Sequence, residues 1–161
     1  MSHIYCLDTN VFIEPWNKYY SMSLCPDYWE LIDSLAKEGV LFCTEEVCRE
    51  IEKVDDGLND WVHARPYLIR EVTTQVQKNL RDVLKTFPRL IQHTKDRSMA
   101  DPWVIAHAMD ANAIVVTKEL NKGQNTQKVG IPDVCDAFRV PWMNDFDFLS
   151  KIGVRFSASR E

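Results

Sequence analysis

Four acidic residues lie where the sequence predicts a strand to end or a helix to bury one face. Asp8 follows the apolar run 4–7, which has no helical period and predicts a buried strand of a parallel sheet. Ligands of open α/β sheets bind outside the carboxyl ends of the strands, so we expect Asp8 to face a binding site. Glu119 follows another apolar run, residues 113–117, and is the second acid at a predicted strand end. Acids that crowd together titrate as a coupled group, and at least one should then hold its proton more tightly.

Glu50 carries a third carboxylate, on the predicted helix 45–54. At about 100° per residue, Val47, Ile51 and Val54 form the inward stripe of that helix, and Glu50 projects within the edge of the same arc. Burying a carboxylate without a partner is costly, so Glu50 needs one. A metal ion or a basic side chain would serve.

Asp101 and Asp133 lie at predicted helix starts, where an acid has an ordinary structural explanation. Asp101 precedes Pro102, and proline is favoured at the first helical position, so capping alone could explain Asp101. Projected on the helix that follows, Asp101 shares the face of Val104 and points inward. Asp133 lies in the first turn of a helix that follows residues 129–132, where the macrodipole alone favours an acid. A site role for Asp133 stays open beside that explanation.

The elements that must position these acids are strands and helices in alternation, which indicates an α/β protein. The predicted elements, in chain order, are a strand at 4–7, an apolar turn at 11–13 that Pro15 stops, a helix that Asp27 caps and that ends at Gly39, a strand at 40–43, the helix 45–54, a wholly helical segment 55–97, a helix after Asp101, a strand at 113–117, a helix containing 133–138, a strand at 140–143 and a helix at 146–152. Within the middle segment we expect one long helix at 68–87, which Pro88 ends or kinks.

The composition fits one globular domain: 161 residues, 45% hydrophobic and 27% charged. We expect this domain to span residues 1–156, followed by a loose tail at 157–161. The five cysteines include no Cys-x-x-Cys pair, which is the usage of a reducing compartment. Neither a signal-like N-terminus nor a run of roughly 18 apolar residues is found, so we expect a soluble cytoplasmic protein.

Basic residues are concentrated in the middle of a chain whose net charge is -5. Residues 65–97 contain eight Lys or Arg against three acids, which is compatible with a basic surface beside an acidic site. Four of the basic residues fall within an arc of about 80° on the predicted helix 68–87. They are Arg70, Lys78, Arg81 and Lys85. This arc is interpreted either as a solvated helix face or as a surface that contacts phosphates.

Other enzyme classes fit the pattern poorly. A phosphatase of the haloacid-dehalogenase type would want a second Asp two positions after Asp8, where Asn10 stands. A phosphoacceptor receiver domain would want a mid-chain Asp at a strand end, whereas Asp101 precedes a helix. The four histidines lack metal-ligand spacing, and no Ser or Cys lies in a recognisable nucleophile motif.

The order of these motifs resembles the PIN-domain ribonuclease family, which includes the VapC-type toxins. The resemblance rests on Leu-Asp-Thr-Asn at 7–10 after a first strand, on an inward Glu50, on Asp101 opening a helix and on Val-Val-Thr-Lys-Glu at 115–119. The segments Ala-Asp-Pro-Trp-Val-Ile-Ala at 100–106 and Ile-Pro-Asp-Val-Cys at 131–135 are similar to a bacterial branch of that family. The resemblance covers nearly the whole chain.

This resemblance implies a three-layer α/β/α sandwich with a central parallel sheet, a helical insertion in the middle and an acidic pocket that hydrolyses RNA with Mg²⁺ or Mn²⁺. On matching positions, Asp8, Glu50 and Asp101 would be the core metal ligands. Thr117 and Glu119 match a segment where many members have Thr-x-Asp, and the Glu here is one methylene longer. Asn10 matches a polar residue that commonly orients a carboxylate or a water. Asp133 is an alternative to Glu119 as the last ligand.

The chemistry of oxygen ligands supports the same interpretation independently. Mg²⁺ takes one or two carboxylates together with waters and substrate phosphate oxygens. A bound metal lowers the pKa of its water and neutralises charge during in-line attack on phosphorus, and the motifs offer no obvious general base. We therefore expect a metal-activated water as the nucleophile, acting on the RNA substrate that the resemblance implies. The resemblance also implies a cognate antitoxin protein and a homodimer as partners, and it leaves a catalytically inactive PIN-fold module that binds RNA or protein as the alternative.

Overall fold

The computed structural model describes residues 3–54, 56–88, 90, 100–121 and 129–161. Its strands and helices, in chain order, are β1 (Tyr5–Leu7), α1 (Asn10–Asn17), α2 (Pro26–Lys37), β2 (Leu41–Thr44), α3 (Glu45–Glu52), α4 (Leu58–His63), a 3-10 helix (Pro66–Leu68), β3 (Ile69–Arg70), α5 (Thr74–Thr86), α6 (Asp101–Ala111), β4 (Ile114–Val116), α7 (Ile131–Ala137), β5 (Trp142–Met143) and α8 (Asp145–Lys151). Part of the basic segment, residues 89 and 91–99, lies outside the described residues, as does the loop 122–128.

The strands form one five-stranded sheet in the order β3-β2-β1-β4-β5, and every pairing is parallel. Tyr5 of β1 pairs with Leu41 of β2 on one side and with Ile114 of β4 on the other. The chain leaves β1 toward one edge of the sheet and returns to the other side of β1 with β4. The strand order therefore reverses between β1 and β4, which is where ligands of open parallel sheets bind.

The two central strands are buried on both faces, as their continuous apolar sequences predict. Cys6 and Leu7 of β1 and Val115 and Val116 of β4 have no solvent exposure. Helices cover the sheet, and the molecule is an α/β/α sandwich around a parallel sheet, which confirms the predicted fold class. Polar side chains follow directly after these apolar strands, namely Asp8 after β1 and Thr117 after β4.

The prediction of a wholly helical middle segment was wrong. A 3-10 helix and the short strand β3 precede α5, and Ile69 pairs with Cys43 of β2. The helix begins only after Thr73, whose hydroxyl accepts a hydrogen bond from Val76 N. Pairing with the edge of the sheet outweighs the local helical period here. Arg70 therefore lies on a strand and not on the helix that carries the other three basic residues of the predicted arc.

Smaller differences concern helix ends. Pro15 lies inside α1 and does not stop it. The N-cap of α2 is Cys25, with Pro26 as the first helical residue, because proline already has the φ of a helix start and needs no donor there. Asp27 is in the first turn of α2. Val54 is 41% exposed, since α3 ends before reaching it.

The five cysteines are free thiols. Among the described residues, the helices are too short or too polar for any of them to cross a membrane. Residues 157–161 are exposed and have no regular secondary structure. That this tail is loose, and that the domain ends at residue 156, stay predictions.

Candidate active site

Asp8 and Thr117 lie at the carboxyl ends of the two central strands. Leu7 pairs with Val116, so the residues that follow them emerge side by side. The Thr117 hydroxyl donates a 2.9 Å hydrogen bond to Asp8 Oδ2, and Asp8 N donates to the carbonyl of Val116 at 2.9 Å. Asp8 is 3% exposed and Thr117 is fully buried. The pair therefore lies buried at the carboxyl ends of β1 and β4, between which the strand order reverses.

Thr9 connects Asp8 to Glu50. Its backbone N–H donates to Asp8 Oδ1 at 2.7 Å, and its hydroxyl donates to Glu50 Oε2 at 2.7 Å. Glu50 reaches this point because α3 starts directly at the end of β2, where the Thr44 hydroxyl accepts from Val47 N at 3.1 Å and caps the helix. Glu50 is half-buried. The sequence predicted that Glu50 needs a partner, and a hydroxyl is one of them.

Glu50 also contacts the start of α6. Its Oε1 accepts a 3.0 Å hydrogen bond from Ala100 N, the residue immediately before Asp101. Ala100 is the N-cap position and Asp101 is the first helical residue, 6% exposed. A carboxylate of α3 thus satisfies a backbone N–H at the beginning of α6, which brings Asp101 to the same region.

Glu119 and Asp133 have different surroundings. Glu119 follows β4, and its N–H donates to Thr117 Oγ1 at 3.1 Å, so its main chain is bonded to the hydroxyl that contacts Asp8. Asp133 Oδ2 accepts from Gly130 N at 2.9 Å at the start of α7. This hydrogen bond is one half of a capping box, so Asp133 has a structural role at the helix start besides the favourable position in the macrodipole that the sequence indicated.

Negative charge is concentrated around Asp8. Burial raises its pKa from 3.8 to about 7, and the charges of Glu119 and, less strongly, of Glu50 act in the same direction. The hydrogen bonds from Thr117 and Thr9 oppose this rise. Burial and the neighbouring carboxylates therefore favour the protonated form of Asp8, and a bound cation would favour its charged form.

The donors of this region suit a hard divalent cation in kind and charge. Among the described residues, no group of three or more His, Cys, Asp or Glu side chains is arranged so that it could hold a metal ion. Mg²⁺ in proteins commonly uses only one or two carboxylates and takes its remaining ligands from water and phosphate. Asp8 and the acids that raise its pKa can supply such carboxylates.

Asn10 contacts the main chain that follows β4. Its Oδ1 accepts a 3.1 Å hydrogen bond from Lys118 N, between the two predicted residues Thr117 and Glu119. Sequence reasoning had assigned no role to Thr9 or to Lys118. Thr9 could have been found from the sequence, because it carries a hydroxyl and stands between Asp8 and Asn10. The partners of the Lys118 side chain come from distant elements, and no motif indicates them.

The predicted basic surface divides between two elements. Lys78, Arg81 and Lys85 are exposed on α5 at positions that share one helix face. The Arg70 guanidinium lies 4.7 Å from the centroid of the Phe42 ring instead. Including Arg70 in the helical arc was therefore wrong.

The histidines have separate surroundings within the described residues. His63 Nε2 is 3.0 Å from Glu52 Oε1 at the surface. His107 is 1% exposed, and neither of its ring nitrogens has a hydrogen-bond partner in the described part of the chain. Burial, together with the charge of Arg70, lowers the His107 pKa to about 4. His93 lies outside the described residues.

Comparison with known proteins gives a family and a fold. Residues 5–156 match the family model described as a domain of unknown function (DUF4411). No curated protein matches the sequence.

Two solved structures have a similar fold at low sequence identity. One is VapBC2 from Rickettsia felis bound to a DNA fragment from their promoter, with a TM-score of 0.52, 17% identity and coverage of 88% of this chain and 98% of the other. The second is VapBC-1 from nontypeable Haemophilus influenzae, with a TM-score of 0.50, 18% identity and coverage of 88% and 97%. This likeness confirms the PIN-like α/β fold that the sequence predicted.

Proposed function

The chain belongs to the DUF4411 family, and from its PIN-like fold and its acidic site we propose that it is a metal-dependent endoribonuclease. The observation that supports this most is the hydrogen-bonded path at the point where the strand order reverses. Asp8 is joined through Thr9 to Glu50, and through Thr117 to the segment of Glu119. Such a path gathers carboxylates from three parts of the chain at the edge where substrates bind in this class of sheet.

Asp8, Glu50, Asp101 and Glu119 are the candidate ligands for Mg²⁺ or Mn²⁺, of which one or two would bind the cation directly while water and substrate phosphate would complete its coordination. When bound, a cation of this kind supplies a more acidic water and stabilises the charge that develops at phosphorus. The threonines orient the carboxylates: Thr117 fixes one oxygen of Asp8, and Thr9 fixes one oxygen of Glu50. A bound cation would also offset the repulsion from Glu119 and Glu50, which adds to the effect of burial on the Asp8 pKa. Asp133, which caps α7, is the alternative to Glu119 as the last ligand.

The RNA-binding part of this proposal rests on α5. Lys78, Arg81 and Lys85 present three positive charges on one helix face of an otherwise acidic protein. A phosphodiester backbone requires such charges, because neutralising phosphates drives most non-specific binding. Arg70 stands apart on β3 and is proposed only as a separate contact.

The test of the activity is an RNA cleavage assay with Mg²⁺ or Mn²⁺, with EDTA, and with Asp8→Asn. We expect cleavage by the wild type with metal, and none in the other two cases. Metal-dependent cleavage that survives in a folded Asp8→Asn protein would overturn the assignment. The cleaved fragments should carry ends consistent with hydrolysis of phosphodiester bonds.

One observation favours a second candidate, a PIN-fold module that binds RNA or protein without cleaving it. Both carboxylate oxygens of Glu50 already accept hydrogen bonds from the protein, and the last acid is Glu where many relatives of the PIN family have Asp. Tight binding of RNA or protein, with no cleavage under either metal, would support this candidate.

An antitoxin protein is the partner that the fold suggests. Both similar structures are VapBC complexes, and we expect the antitoxin of this chain to be encoded beside it and to cover the acidic site. Co-expression with the product of the neighbouring reading frame should yield a complex that has lost RNA cleavage. A homodimer is expected by light scattering of the purified chain. A cytoplasmic location is in keeping with RNA as substrate and with the five free thiols.

A further inference from the structure

Lys118 is surrounded by polar and aromatic groups of distant elements. Its ammonium nitrogen lies 2.7 Å from the Tyr19 hydroxyl, 3.3 Å from each carboxylate oxygen of Asp145 and 3.5 Å from Glu14 Oε2. It also lies 5.0 Å from the ring centroid of Tyr19 and 4.9 Å from that of Phe146. The side chain is 19% exposed, so it is not an ordinary surface lysine.

The buried carboxylate of Asp145 explains why the Lys118 ammonium group lies here. The Asp145 side chain is 2% exposed at the first position of α8, and the Tyr19 hydroxyl donates a 2.8 Å hydrogen bond to its Oδ2. A buried carboxylate requires a partner of opposite charge, and Lys118 supplies it. The position of the Lys118 side chain is therefore set by the packing of α8 against the rest of the molecule.

The main chain of Lys118 belongs to the acidic site. Its N–H donates a 3.1 Å hydrogen bond to Oδ1 of Asn10, which is two residues after Asp8 in the sequence. Immediately before Lys118 is Thr117, which contacts Asp8, and immediately after it is Glu119. One residue thus joins the exit of β4 to the start of α1 through its backbone and to α8 through its ammonium group.

We propose that Lys118 is a positioning residue of the acidic site: its ion pair with Asp145 holds segment 117–119 so that Thr117 contacts Asp8 and Glu119 remains beside it. The role in metal binding rests on the proposed function. The role in fixing the segment does not, because it concerns the protein alone. Lys118 itself is directed toward Tyr19 and Asp145.

The first experiment measures Mn²⁺ binding by electron paramagnetic resonance in the absence of RNA. Lys118→Met and Asp145→Asn should each weaken binding by about tenfold or more, the effect typical of losing a group that orients a ligand. RNA cleavage should show a similar fall in kcat with little change in KM, since neither side chain is proposed to contact RNA. Lys37→Met is the matched control, because Lys37 also pairs with an aspartate, Asp33, but on α2. It should behave as wild type.

Loss of Lys118 alone leaves Asp145 buried without its cation and could unfold the protein. The double variant Lys118→Met with Asp145→Asn removes both charges and keeps the fold testable by circular dichroism. Lys118→Arg keeps the charge and should recover most of the Mn²⁺ affinity. A folded double variant with wild-type Mn²⁺ binding and wild-type kcat overturns the proposal.

Amide hydrogen exchange separates this proposal from the proposed function. The Glu119 N–H is bonded to Thr117 Oγ1, and in the metal-free double variant it should exchange about tenfold faster than in the wild type, as expected when a local structure opens more often. Unchanged exchange at Glu119 overturns the positioning role even if the wild type binds no Mn²⁺. The double variant can exchange faster at Glu119 even if the wild type neither binds Mn²⁺ nor cleaves RNA. That result supports the positioning role and refutes the nuclease.

Discussion

The Thr9 hydroxyl donates a 2.7 Å hydrogen bond to Glu50 Oε2 and joins two residues that are 41 positions apart in the sequence. Thr9 is 7% exposed and belongs to the turn between β1 and α1, whereas Glu50 belongs to α3. The bond satisfies one oxygen of a half-buried carboxylate with a neutral hydroxyl. Because the Thr9 N–H also donates to Asp8, the position of one acid depends on the position of the other.

Thr9→Val should therefore impair the site more than its small change in volume suggests. Removing a hydrogen bond to a charged group costs about 1.5–3 kcal/mol, and we expect a fall of this size in the free energy of unfolding. RNA cleavage should fall by about tenfold or more, as for other groups that orient ligands. Urea denaturation and initial cleavage rates measure the two effects.

Two variants make the Thr9 test specific. Thr9→Ser keeps the hydroxyl and should retain most of the activity. Thr86→Val removes a hydroxyl that donates to a backbone carbonyl on the exposed end of α5, and should leave cleavage unchanged. Equal activity of Thr9→Val and wild type would show that the contact with Glu50 has no part in catalysis.

Asp8→Asn should stabilise the metal-free protein at alkaline pH while abolishing cleavage. The folded-state pKa of Asp8, about 7, is above its ordinary value of 3.8. The stability that its proton contributes is fully present below pH 3.8 and is lost as the pH rises through 7. The full shift corresponds to roughly 4 kcal/mol at most, and the asparagine variant lacks this loss.

Thermal unfolding of both proteins in EDTA from pH 5 to pH 8.5 measures this difference. The melting temperature of the wild type should fall relative to Asp8→Asn as the pH rises. Added Mn²⁺ should raise the wild-type melting temperature and leave that of Asp8→Asn nearly unchanged, because a ligand stabilises only the state that binds it. A parallel pH dependence for both proteins would contradict the raised pKa of Asp8.

His107 should give the opposite pH dependence. Burial lowers its folded-state pKa to about 4 from 6.5. The corresponding stability is fully present above pH 6.5 and is lost as the pH falls toward 4, by roughly 3 kcal/mol. His107→Leu removes two buried nitrogens that have no partner among the described residues, so it should unfold at higher urea concentration than wild type, with the larger gain at pH 5 than at pH 7.5.

The parts of the fold that the sequence predicted are those with strong local signals. β1 and β4 are buried on both faces, so their apolar runs are continuous, and Asp8 and Thr117 mark their ends. Thr44 caps α3 with its own hydroxyl, which a sequence shows directly. The apolar runs and the helix cap are predictable because the residues that mark each of them lie within a few positions of one another.

The parts that were missed depend on partners far along the chain. Ile69 forms a strand only because Cys43 lies beside it, and the sequence around Ile69 alone continues the helical period of the next element. Lys118 contacts Asp145 and Tyr19, which are 27 and 99 positions away. No spacing in the sequence indicates these contacts, since they are created by the packing of helices against the sheet.

The basic face of α5 gives the last prediction. Lys78→Ser, Arg81→Ser and Lys85→Ser combined should weaken RNA binding in EDTA and lower the slope of log affinity against log salt by up to about 2, at about 0.7 for each single-strand phosphate contact. Arg70→Ser should be measured separately, because Arg70 lies on β3 against Phe42. A triple change of Lys151, Arg155 and Arg160 to Ser removes the same charge from the C-terminal region and should leave the slope unaltered. If both triple variants change the slope equally, net charge and not the α5 face governs RNA binding.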